Sequence, residues 1–129
     1  MKTILVDAIS AFVIKGVGIF KEMHELLETY DNPKIILTGA NDEQTEQFGL
    51  NQMPYPVFTL KHNPEKTDEE YFKIMLSKHN LKADEVVYFE HNTEAMKSAE
   101  AVGIKTHFYD ENKKDLDALK KFLDENLIL

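Results

Sequence analysis

The stretch Val86-Val-Tyr-Phe-Glu-His-Asn-Thr-Glu-Ala-Met-Lys-Ser-Ala-Glu-Ala-Val-Gly-Ile-Lys-Thr-His-Phe108 carries the fold in miniature. Val86 to Phe89 is a short, continuous apolar run. That pattern suits a strand buried on both faces. Glu90 and His91 end it. Asn92 or Thr93 is placed to cap a helix, and Ala95, Met96, Ala99 and Val102 recur on one face at helical spacing. Gly103 stands where helices end in a left-handed residue, and Ile104 to Phe108 is a further strand. A strand, a helix and a strand at this spacing form a crossover between parallel strands, which is right-handed.

The same alternation extends outward. Thr3 to Val6 is a strand running into Asp7. Ala8 to Ile19 is mostly apolar and holds Gly16 and Gly18. Phe20, Met23, Leu26, Leu27 and Tyr30 trace an amphipathic helix that stops near Asp31-Asn32-Pro33. Lys34 to Thr38 is a second strand, closed by Gly39. Asn41 and Gln44 have the spacing of a capping box, opening a short helix to about Phe48. Pro54 and Pro56 bracket a loop before a strand at Val57 to Leu60. Thr67 and Glu70 form a second capping box, for a helix with Tyr71, Ile74, Met75 and Leu81 inward. A last helix turns Leu116, Leu119, Phe122 and Leu123 inward. Five strands alternating with helices predict a three-layer α/β/α domain with a five-stranded parallel sheet, one domain over residues 1–129.

Composition narrows the function classes. A chain of 129 residues buries a little under ~70% of its unfolded surface, enough for a core without staples. There is no Cys, hence no disulfide, thiolate metal site or Cys nucleophile. The Met1 end lacks a signal-peptide pattern and no apolar run approaches ~18 residues, so the chain reads as soluble and cytoplasmic. A net charge of −8 disfavours nucleic acid and anionic membranes as partners. All 15 basic residues are Lys, so no guanidinium clamp for phosphate or carboxylate exists. The five His show no zinc-ligand spacing, and Gly16-x-Gly18 lacks both the third glycine and the position of a dinucleotide fingerprint.

In open α/β sheets ligands sit beyond the carboxyl ends of the strands. That rim collects Asp7, Thr38, Glu90 and His91, with Lys66 opening the helix after the third strand. Together they make an inventory for phosphate and a hard cation. Asp7 is a nucleophile or metal ligand, Thr38 and nearby N–H groups hold phosphate oxygens, and Lys66 supplies charge. Each residue also has a plainer account. Strand-end Asp serves turns, Lys66 reads equally as a solvated charge, and Glu90 and His91 as exposed loop residues. A phosphoacceptor receiver domain is excluded, because the third strand, Val57-Phe-Thr-Leu-Lys-His-Asn63, ends without Asp.

These residues resemble the motifs of the haloacid dehalogenase-like (HAD) superfamily, a Rossmann-like α/β fold. Leu81 to Thr106 is similar to its fourth motif, with Ala99 and Gly103 in register. Lys66-Thr-Asp-Glu-Glu-Tyr71 resembles the third motif, Thr38 sits at the hydroxyl of the second, and Asp7 at the nucleophile of the first, Asp-x-Asp-Gly-Thr/Val. The resemblance implies phosphate binding by Thr38, Gly39 and Lys66. It implies Mg²⁺ held by Asp7, the Ile9 carbonyl and Glu90.

The departures matter as much. Ile9 aligns with the acid/base, Ser10 with the Gly, and His91 with the second acid of the fourth motif. Losing a positioned acid/base typically lowers rate by ~10²–10⁴. The resemblance therefore implies a phosphatase-like protein with weak or no phosphomonoester hydrolysis, retained as a binding or interaction module. The alternative is an active Mg²⁺-dependent phosphatase using Asp7. Metal-independent dehalogenases of the superfamily also lack the acid at Ile9, begin with Asp-Ala like Asp7-Ala8, and keep an Asn like Asn92. They need an Arg and a cap domain, which this chain does not offer. The segments in which caps are inserted are short here, so the site is expected to be capless and open. That implies a phosphorylated small molecule or protein as partner, or closure by a second copy of the chain. Phe12 to Phe20 lies at the family's mobile flap and reads as core packing or a contact between copies. His91 reads as a solvated loop residue.

Overall fold

The computed structural model describes residues 1–128. Five strands form the sheet: β1 (Thr3–Asp7), β4 (Lys34–Thr38), β5 (Val57–Thr59), β6 (Val86–Glu90) and β7 (Lys105–Phe108). Two further strands, β2 (Val13–Ile14) and β3 (Gly18–Ile19), pair only with each other. The helices are α1 (Lys21–Glu28), α2 (Asp42–Gln47), α3 (Glu69–Lys78), α4 (Thr93–Ala101) and α5 (Leu116–Asn126). The sheet order is β5-β4-β1-β6-β7, and every neighbouring pair is parallel. The expected three-layer α/β/α architecture is the one that forms.

Period-two alternation divides the core. Ile4 and Val6 of β1 meet Met23 and Leu27 of α1 and Leu119 and Leu123 of α5 on one face. Leu5 meets Tyr71, Phe72 and Met75 of α3 and Ala99 of α4 on the other. All five residues of β1 are buried, as a central strand in a doubly covered sheet requires. Each fully buried aliphatic side chain stabilises by about 1.5–3 kcal/mol. β1 is thus the central, fully buried strand of the sheet, and Asp7 stands at its carboxyl end.

Three local features refine the sequence reading. The apolar stretch after β1 folds into the β2–β3 hairpin, with Val13 opposite Ile19 and Ile14 opposite Gly18. Its base is core, since Ala11, Phe12 and Val13 are buried, while Val17 at the tip is 76% exposed. Asp68, rather than Thr67, caps α3: its carboxylate accepts from the Glu70 N–H, and the Thr67 carbonyl accepts from the Ser98 hydroxyl. Gly103 has φ +92, the left-handed exit expected after α4. No helix among the described residues is long and apolar enough to cross a membrane.

Candidate functional site

Parallel pairing sets the site. Asp7 lies level with Leu37 of β4, and Val6 with Phe89 of β6. Asp7, Thr38 and Glu90 therefore end three adjacent strands on one rim. Asp7 and Glu90 are each 1% exposed and Thr38 is 4% exposed. Buried carboxylates need partners, and here they share two. The Lys66 ammonium lies 2.9 Å from Asp7 Oδ1 and 2.7 Å from Glu90 Oε1, and it donates to the Leu37 carbonyl at 3.1 Å. On the opposite side, His91 Nδ1 lies 2.5 Å from Asp7 Oδ2 and 3.2 Å from Glu90 Oε2. The His91 backbone N–H donates to the same two oxygens, at 3.1 Å each. Asn92 N–H donates to Glu90 Oε2 at 3.1 Å, and the Tyr88 hydroxyl donates to Glu90 Oε1.

Lys66 and Glu90 are thus not solvated, and His91 is not a free loop histidine. The pattern of strand-end acids marked Asp7 and Glu90. His91 was placed on the rim but read as a solvated loop residue, because its ring meets Asp7 across 84 positions of chain.

The electrostatics follow from this packing. Burial raises the Asp7 carboxyl and the neighbouring Glu90 charge adds to the rise, with Lys66 and His91 opposing. Burial acts upward on Glu90 too, but the Lys66 ammonium and the His91 hydrogen bonds prevail and hold it below the ordinary carboxylate range. Glu90 is the more acidic of the pair because it collects more donors. Burial draws the Lys66 ammonium down, and Asp7 with Glu90 more than reverses this. The hydrogen bond to Asp7, then that to Glu90, lifts His91 to about 10 against its burial. Burial and the Glu90 charge keep the Tyr88 phenol protonated, so it donates.

The phosphate-side residues lie on a cleft of about 300 Å³ that Asp7, Ile9, Thr38, Gly39, Lys66 and His91 help to line. Thr38 Oγ1 accepts the Ala40 N–H at 3.1 Å, which leaves its own hydrogen free to donate. The Tyr71 hydroxyl donates to the Thr38 carbonyl at 2.7 Å and fixes this turn. A Cβ at Gly39 would come within 3.4 Å of His62 Nδ1, a tight contact. Sequence reasoning did not single out His62, Gln44 or Lys15 as lining this cleft. His62 bridges Gln44 Oε1 at 2.6 Å and Glu65 Oε2 at 3.1 Å. Lys15 reaches the cleft from the hairpin.

Two residues beyond Asp7, Ile9 also lines the cleft and packs against the core. Ser10, at the aligned Gly, has φ +75. The left-handed turn that favours glycine therefore persists in this chain.

The donor set can be tested against the implied Mg²⁺. One donor atom from each of Asp7, Glu90 and His91 lies within 4.8 Å of the other two. Mg²⁺ requires oxygen ligands in near-octahedral array. All four carboxylate oxygens here already face N–H or O–H donors, and Lys66 supplies positive charge between them. As arranged, these residues do not fit Mg²⁺.

No family model and no curated protein matches the chain. Solved structures do. A HAD family enzyme from Bacteroides thetaiotaomicron, an Asp-to-Ala variant in complex with magnesium and inorganic phosphate, has a TM-score of 0.70 at 12% identity, covering 84% of this chain and 93% of its own. An uncharacterized protein from Corynebacterium glutamicum has a TM-score of 0.63 at 14% identity, covering 96% of each chain. The core domain of a Streptococcus pneumoniae protein, provisionally named a phosphoglycolate phosphatase, has a TM-score of 0.55 at 16% identity, covering 81% of this chain and 77% of that one. Between β1 and α1 this chain has only the hairpin, and between β4 and α3 only α2, a turn of 3₁₀ helix and β5. The chain has the fold of the HAD-like superfamily, with no cap domain among its described residues.

Proposed function

We propose that this protein binds a phosphoryl group, on a small molecule or a protein partner, and hydrolyses phosphomonoesters weakly or not at all. One observation carries the reading: both Asp7 oxygens are held by Lys66 and His91, and two residues on, where the motif resemblance puts an acid/base, stands Ile9. A nucleophilic carboxylate needs a free oxygen aligned on phosphorus, and a departing alkoxide needs a proton. An aliphatic side chain supplies none.

Binding survives the loss of catalysis. The Thr38 hydroxyl has a hydrogen to donate into the cleft. Lys66 already has three oxygen neighbours, so its part is to supply positive charge rather than a new hydrogen bond. Gly39 lines the same cleft beside His62, without a side chain to crowd it. Lys15, reaching the cleft from the hairpin, adds a second positive charge there.

Calorimetric titration with inorganic phosphate tests this. A charge-assisted hydrogen bond is worth about 1.5–3 kcal/mol, so Thr38→Val is expected to weaken phosphate binding by roughly 10- to 100-fold. No saturable phosphate heat in the wild type, or equal affinity in Thr38→Val, would contradict it.

A further inference from the structure

The two buried acids of the site are joined twice. Lys66 bridges Asp7 Oδ1 and Glu90 Oε1. His91 bridges the other two oxygens, Asp7 Oδ2 and Glu90 Oε2, through both its ring Nδ1 and its backbone N–H. An ionised carboxylate only accepts hydrogen bonds, so the ring nitrogen facing two of them carries its hydrogen. Two N–H groups of one residue thus engage carboxylate oxygens of Asp7 and Glu90 that a divalent cation would need as ligands.

Each acid is satisfied without that cation. Glu90 Oε2 accepts from Asn92 N–H as well, and Glu90 Oε1 from Tyr88. The His91 side chain is 24% exposed, against 2% and 1% for those of Asp7 and Glu90. It lines the cleft beside the pair. Displacing the ring would leave two buried carboxylate oxygens with fewer donors, which is costly unless the newcomer replaces them.

We propose that His91 takes the place of a divalent cation in this site, so that the Asp7–Glu90 pair is held together by this chain's own side chains and the site is metal-independent. The Glu-His sequence that ends β6 is then the signature of a metal-free variant of the rim, not a worn metal site. His91 acts here as a positioning residue, fixing both carboxylates while Lys66 supplies the positive charge.

The test is metal binding in the absence of phosphate, so that its outcome is separate from that of the phosphate titration. A ligand that binds only the folded state raises its stability with concentration. Thermal unfolding and calorimetry of the wild type are expected to be the same in millimolar MgCl₂ as in EDTA. His91→Asp removes the bridging ring, adds a third carboxylate beside Asp7 and Glu90, and is expected to gain a Mg²⁺-dependent rise in Tm with saturable heat. His91→Ser removes the ring without adding charge and serves if His91→Asp does not fold. It too is expected to gain Mg²⁺ binding over the wild type. Saturable Mg²⁺ binding by the wild type, or a folded variant that responds no more than the wild type, would overturn the proposal.

Discussion

Lys66 is the residue on which the buried cluster depends. Removing one partner of a buried ion pair costs about 3–5 kcal/mol, because the other charge stays desolvated. Lys66→Ala leaves two adjacent carboxylates, and urea unfolding at neutral pH is expected to show a loss in that range. The loss should shrink at acid pH, as one of the stranded carboxyls takes up a proton. A loss that does not vary with pH would contradict this. For His91 the sign is opposite. Its folded pKa, about 10, lies above the ordinary 6.5. Its contribution, made through Asp7 and Glu90 with Lys66 alongside, is complete below 6.5 and disappears as pH rises through about 10. The stability difference between wild type and His91→Gln is expected to narrow over that window, and a constant difference would count against it. At Ser10 the left-handed backbone disfavours a side chain by roughly 1–2 kcal/mol, offset in part by the ~0.5–1 kcal/mol backbone entropy of glycine. Ser10→Gly is expected to raise Tm slightly. Asp7, Thr38 and Glu90 were readable because strand ends are fixed points in such a sheet, and Lys66 through the motif that Lys66 to Tyr71 resembles. Which atoms they engage was not, since side-chain direction depends on packing between elements distant in sequence.

At the scale of elements, apolar runs and caps decided most of the fold. β4 and the Asn41–Gln44 capping box formed where the pattern placed them, because each signal is local. The β2–β3 hairpin did not announce itself. Its two-residue strands are too short to show alternation, and their pairing is set by Gly16 and Gly18 at φ +78 and +116. The cap of α3 was misplaced by one residue, because Asp68 and Thr67 are both good caps and Ser98 on α4 engages Thr67. α3 also reaches the site through Tyr71, whose buried hydroxyl serves the carbonyls of Thr38 and Phe58. Stranding those acceptors costs about 1–3 kcal/mol. Tyr71→Phe is expected to lose that much in denaturant titrations and to weaken phosphate binding through the loosened Thr38 turn. Unchanged stability would show that the hydroxyl does not hold the turn.

At the scale of the whole molecule, the sheet order brings three strand ends together, the helices bury both faces, and no cap among the described residues covers the cleft. The catalytic geometry of such a rim needs several groups at once. Restoring one should therefore restore little. Ile9→Asp returns a carboxylate to the cleft but leaves Asp7 held by Lys66 and His91. It is expected to show the same turnover as the Ile9→Asp/Asp7→Asn double variant, and a faster single variant would show that Ile9 alone blocks the chemistry. The central claim, a phosphoryl-binding site without effective hydrolysis, is tested most directly by turnover of a broad panel of phosphomonoesters. Wild type and Asp7→Asn are compared side by side, each with Mg²⁺ and with EDTA. Equal, background-level rates in all four conditions are the predicted result. Turnover by the wild type that Asp7→Asn abolishes would contradict the account.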